Sequence, residues 1–94
     1  MLHAGACDFC SKQGWLGFYL CDDHETIVLL CVECETVYLS PEDRDRGSRA
    51  RVSDTLPYIV EPINVPIVGG RDATSIEVTA RGWGARIEGD TGST

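Results

Sequence analysis

The chain has one lysine, Lys12, and two histidines, His3 and His24, in 94 residues. With so few imidazoles, no nucleophile–base pair is visible, nor is a glycine-rich loop that could cradle phosphate. The longest apolar run, Ile27 to Val32, falls far short of the ~20 residues that span a bilayer. Met1 to Cys7 has no basic stretch followed by an apolar run, so no secretory leader is expected. Basic charge is scarce overall: eight Lys and Arg oppose fifteen Asp and Glu, a net charge of −7. That balance disfavours a general nucleic-acid binder, whose affinity rests on neutralising phosphates. The five cysteines are an odd number and cannot all pair as disulfides within the chain. Together these features predict a cytoplasmic protein in which Cys-x-x-Cys pairs act as metal ligands or redox centres.

Four cysteines form two such pairs, Cys7–Cys10 and Cys31–Cys34, with twenty residues between Cys10 and Cys31. Two residues between thiolates let a tight turn aim both sulfurs at one ion, and a second turn completes a tetrahedron of soft ligands suited to Zn2+. Four thiolates leave no position open for water or substrate, so the spacing predicts one structural zinc and no catalytic residues. Such a centre adds about −2 to the net charge. A small chain often needs a metal staple of this kind.

The residues around the pairs predict short strands. Trp15 to Cys21 and Thr26 to Cys31 are aromatic, aliphatic and β-branched, with the polar turn Asp22–Glu25 between them. Thr36 to Leu39 is a third strand that Pro41 ends, and Ser11 to Gly14 is a polar stretch after the first turn. Residues 5 to 40 thus resemble the zinc-ribbon superfamily, in which two Cys-x-x-Cys knuckles flank a hairpin and a third strand completes the sheet. The resemblance covers under half of the chain and implies a fold without implying one function. Rubredoxin-type iron sites share the four cysteines, but their knuckles usually carry glycine after the second cysteine. Here Ser11 and Glu35 stand there.

Beyond the ribbon, residues 41–55 are highly charged without apolar period and predict a linker or exposed loop. Residues 56–68 carry Pro57, Pro62 and Pro66 among β-branched residues, which predicts an extended arm paired on one edge at most. Thr74–Ser75–Ile76–Glu77 reads as a capping box that opens a helix from Ser75 to Arg81, with Gly82 as its left-handed terminator. Ile76, Ala80 and Trp83 would form its buried stripe. The tail after Ile87 should fray.

The expected fold is therefore small, β-rich and metal-stabilised, in the α+β class. A three-stranded antiparallel ribbon (1–40), a charged linker (41–55) and an arm with a short helix (56–94) would dock as one domain. The two ribbon strands are apolar on both faces, which calls for a cover. The 56–87 segment, a second copy and another protein are the candidates. The function expected is a non-catalytic protein-interaction or regulatory module. The alternative is a nucleic-acid-binding ribbon accessory to transcription or translation, using Arg44, Arg46, Arg49 and Arg51 with Trp15, Phe18 and Tyr19 as stacking platforms. Cys21 and His24 are expected at the hairpin tip as a packed thiol and a solvated imidazole, and His3 has no expected role.

Overall fold

Leu16, Phe18 and Leu20 alternate with Trp15 and Tyr19, and this period of two places one set on each face of a strand. In the computed structural model, which describes residues 1–10 and 14–90, these residues form β2 (Trp15–Leu20). Before it lies β1 (Leu2–Ala6), and after it come β3 (Ile27–Cys31) and β4 (Val37–Tyr38). Helix α1 (Pro41–Arg46) is followed by β5 (Ile59–Val60), β6 (Val65–Pro66) and β7 (Arg71–Asp72). Helix α2 (Ser75–Ala80), a 3-10 turn (Gly84–Arg86) and β8 (Gly89–Asp90) complete the chain. The expected strand in 36–39 is there, shortened to Val37–Tyr38. The polar stretch 11–13 and the end of the tail, 91–94, lie outside the described residues.

The sheet is larger than the three strands expected. Six antiparallel strands pair in the order β4-β3-β2-β1-β8, with β7 also on β2. Every residue of β3 pairs with β2, from Leu16 opposite Cys31 to Leu20 opposite Ile27. The other edge of β2 is shared: Trp15 and Gly17 pair with β1, and Tyr19 and Leu20 pair with β7. The tail expected to fray instead runs as β8 along β1, where His3 pairs with Gly89 and the His3 carbonyl accepts the Glu88 N–H at 2.8 Å.

The β2–β3 hairpin divides the interior in two. On one side Leu16, Phe18, Leu20, Ile27, Leu29 and Tyr38 pack with Ala73 and Val78, and Trp83 and Ile87 lie against them. On the other side Cys21, Val28 and Val37 pack with Val60 and Ile67, joined by Tyr58 and Val65. The chain itself therefore covers both faces of the ribbon, and the apolar surplus gives no reason for a partner there. Within that segment Ile63 and Ile76 stay out of the cover, 38% and 80% exposed.

The second cover is stitched to the first sheet by backbone bonds. The Ala50 N–H donates to the Val37 carbonyl at 2.7 Å, and Val52 pairs with Val60. The arm is a small hairpin, β5 with β6, rather than a single extended edge. Pro66 supplies only a carbonyl, which accepts the Asp22 N–H at 2.9 Å.

The 41–55 segment opens as a helix, and the rest of it is a mostly exposed stretch. Pro41 does not only end the strand before it: it occupies the first turn of α1, where its missing N–H costs nothing. The Ser40 hydroxyl accepts the Asp43 N–H at 3.1 Å, and Gly47 closes the helix at φ 71°. Glu42 and Asp43 lie in the first turn and Arg44 and Arg46 in the last, each where the helix dipole favours its sign. Six residues with such ends need no apolar period.

Helix α2 has the expected capping box, with the Glu77 N–H donating to the Thr74 hydroxyl and the Thr74 N–H to the Glu77 carboxylate. The Arg71 guanidinium, and then the Thr74 N–H, hold that carboxyl down to about 2. Gly82 takes φ 80° just past the helix. The buried stripe differs from expectation: Val78 is fully buried, whereas Ile76 and Ala80 are exposed and only Trp83 of the expected set packs inward. Close approach, not periodicity, fixes the entry to β7. A methyl on Gly70 would stand 1.9 Å from the Leu20 carbonyl oxygen. Among the described residues no helix is long and apolar enough to cross a membrane.

With metal held at saturation, Val78→Ala is expected to lower unfolding free energy by about 2 kcal/mol. Thr74→Ala should cost about 1 kcal/mol and Ile76→Ala less than about 0.5. Gly70→Ala should cost about 3 kcal/mol or more. Urea unfolding of the four variants checks this order, and equal losses at Ile76 and Val78 would place α2 in the wrong register.

Candidate metal centre

The first knuckle follows β1 directly. Cys7–Cys10 is a turn that the Cys7 N–H closes by donating to the Gly14 carbonyl at 2.8 Å. Gly14 leaves room for the opposite knuckle, since a methyl there would come within 2.8 Å of both Cys31 Sγ and Glu33 Cγ. The second knuckle begins at the last residue of β3. The Cys31 N–H donates to the Thr36 carbonyl at 2.9 Å, and Glu35 turns the chain back at φ 59°.

The two turns bring all four sulfurs within 4.8 Å of one another. Cys7 Sγ lies 3.8 Å from Cys34 Sγ, and Cys10 Sγ lies 3.7 Å from Cys31 Sγ. A tetrahedron of sulfurs about 2.3 Å from a central metal has edges of about 3.8 Å. A disulfide would need about 2.05 Å. The two short edges fit that tetrahedron and exclude disulfides, and Cys7, Cys10, Cys31 and Cys34 could hold a metal ion. Among the described residues no other group of three or more His, Cys, Asp or Glu side chains converges in this way.

The surroundings prepare the sulfurs for negative charge. The Glu33 and Cys34 N–H groups donate to Cys31 Sγ at 3.4 and 3.5 Å. The buried Thr36 hydroxyl lies 3.0 Å from Cys34 Sγ. Burial pushes Cys34 up, but hydrogen bonds from Thr36 and from Cys31 and Cys10 outweigh it and bring its thiol down to about 7. Burial raises the Cys7 thiol and pushes Cys31 up to about 12. Without a metal, one thiol of the cluster is thus ready to ionise near neutrality while Cys7 and Cys31 keep their protons.

The four arginines expected to meet phosphate are turned to internal work. Arg44 donates to the Ala6 carbonyl at 2.8 Å beside the first knuckle and lies 4.0 Å from Asp8. The Arg49 guanidinium sits 3.8 Å above the Phe9 ring, covering the same knuckle. Arg46 pairs with Asp43, and Arg51 with Glu61 at 3.3 Å. Of the expected stacking aromatics, Phe18 is fully buried and cannot meet a base. Tyr19 is half-buried against the second core. Trp15 is 42% exposed, and its ring is stacked on His3 at 4.2 Å.

His3, for which no role was expected, is a buried residue of β1. Its Nδ1 accepts the Gly5 N–H at 3.0 Å, and burial lowers its pKa, so the ring is held neutral. Cys21 is buried at the far end of the hairpin, its thiol pushed up to about 11 by burial and by Asp23, and His24 is exposed. Sequence reasoning missed the places that Thr36 and Arg44 take beside the knuckles. A threonine two residues past the last cysteine is a local signal for the first. Nothing local signals Arg44, which reaches Ala6 across 38 positions. No protein-family model matches the chain, and neither does any curated protein or solved structure.

Metal binding must displace the protons of at least Cys7 and Cys31, so affinity should fall at least about a hundredfold for each pH unit of acidification near neutrality. Cobalt(II) titrations followed by thiolate-to-metal absorption at several pH values read this slope, and a slope near zero would exclude thiolate ligation. Thr36→Val should weaken the same titration by about 10–100-fold while leaving one ion per chain.

Proposed function

We propose that this chain is a zinc-ribbon-like cytoplasmic module that holds one structural Zn2+ through Cys7, Cys10, Cys31 and Cys34 and acts by binding another protein, without catalysis of its own. The observation that supports the metal part of this reading is the pair of sulfur–sulfur edges at 3.7 and 3.8 Å, which fit a closed tetrahedral site. A closed site offers no position for substrate or metal-bound water. Zinc is preferred to iron because Ser11 and Glu35 follow the knuckles where rubredoxin-type sites carry glycine. The net charge of −7 and the internal pairing of Arg44, Arg46, Arg49 and Arg51 count against phosphate recognition.

The test is native mass spectrometry of the protein purified from its own host at low salt. One zinc per chain and a stoichiometric protein partner, released when a chelator removes the metal, are expected. Iron, or a metal-free chain two mass units lighter for each oxidised cysteine pair, would overturn the zinc reading. A zinc-bound chain that never retains a partner would overturn the interaction reading.

A further inference from the structure

A groove of about 660 Å3 opens between the second knuckle and the strand-like segment around Val52. Its apolar walls are Leu30, Val32, Val52, Tyr58 and Ile67. The volume lies in the range of binding clefts, and Val32 is 53% exposed.

The backbone at one side of this groove is an open edge. The Ser53 N–H donates to the Ile59 carbonyl, and the Arg51 carbonyl accepts the Glu61 N–H. Val52 and Val60 between them are thus a pair whose own N–H and C=O groups point away from each other. The Val52 groups face the side on which Ala50 meets Val37. The antiparallel course of β4 would put Glu35 opposite Val52, but there the chain leaves the sheet into the knuckle turn. The N–H and C=O of Val52 consequently have no partner among the described residues.

Two carboxylates, Glu35 and Asp54, also line the groove, and neither has a cationic partner among the described residues. Two residues of the lining, Glu35 at φ 59° and Tyr58 at φ 58°, hold the left-handed conformation that glycine adopts without cost.

We infer that this groove takes an extended segment of a partner protein, which adds as a strand along Val52, inserts a β-branched or aliphatic side chain between Val32, Tyr58 and Ile67, and sets Lys or Arg against Glu35 and Asp54. An unpaired strand edge beside apolar pockets is the arrangement that accepts an added strand. The anionic walls select a cationic segment over an acidic one. They also argue against the same groove of a second copy, which would oppose carboxylate to carboxylate on a chain of net charge −7. This inference rests on the interaction reading and names its partner class.

The test uses the full zinc-loaded chain and a displayed library of random peptides. Enriched peptides should alternate Lys or Arg with Val or Ile. One such synthetic peptide, titrated by fluorescence anisotropy, should bind more weakly as salt rises. It should lose about tenfold or more in affinity with Glu35→Lys or Asp54→Lys. Both side chains are exposed, so zinc content and the amide spectrum report that these variants remain folded. Bound peptide should slow hydrogen exchange at the Val52 amide. Absence of enrichment, peptides without cationic bias, or binding that survives both charge reversals and leaves Val52 exchange unchanged would overturn the groove. Peptides that bind through Phe9 on the opposite knuckle instead would overturn the groove and leave the interaction reading intact. Failure of the native partner experiment removes the interaction reading itself.

Discussion

A two-stranded ribbon with apolar side chains on both faces cannot stand in water, and the organisation of this chain follows from that constraint. Leu16, Phe18, Leu20, Ile27 and Leu29 need one cover, and Tyr19, Cys21, Val28 and Leu30 need another. The segment after β4 crosses to one side and supplies Val60 and Ile67, then returns past Gly70 to the other side and supplies Ala73, Val78 and Trp83. A single hairpin thus serves as the middle layer for a chain too short to build two independent cores. The strands that frame it are mostly two residues long because each needs only to tie a cover in place.

The sulfur cluster lies at one end of this middle layer, where Cys7 and Cys31 join the first core. Cys7 follows β1 and Cys31 ends β3, with β2 running between those strands, so an ion at the cluster would clamp the sheet across three strands at once. Arg44 and Arg49 come from the 41–55 segment to brace the first knuckle. The Arg86–Asp45 ion pair at 2.8 Å ties the end of the chain to α1. The charged stretch acts as a strap over the metal end.

Features with local causes were legible in the sequence. The cysteine spacing located the cluster, runs of aromatic, aliphatic and β-branched residues located β2 and β3, and the Thr74–Glu77 pair located the start of α2. Features set by distant partners were not. Leu2–Ala6 shows no alternation, and it becomes a strand because β2 and β8 present edges to it. Arg71–Asp72 and Gly89–Asp90 are too short to carry a pattern at all. In a helix of under two turns, Ile76 and Val78 are both plausible inward residues by spacing. The Ala73 N–H, donating to the Phe18 carbonyl at 2.9 Å, anchors the segment so that Val78 faces the core. Helix α1 escaped notice because its signals are caps and end charges, whereas apolar period is the stronger cue for a helix.

The five thiols fall into two chemically separate populations. Four sit at the knuckles, where Cys10 and Cys34 are partly open to solvent, and the fifth, Cys21, has no exposed surface at the far end of the hairpin. An alkylating reagent would therefore meet this protein in stages. A metal-loaded chain would present no free thiolate, loss of the ion would release the knuckle sulfurs, and Cys21 would be labelled only when the second core opens. The order of labelling distinguishes departure of the metal from collapse of the fold, so the chain carries its own two-stage reporter of how it comes apart.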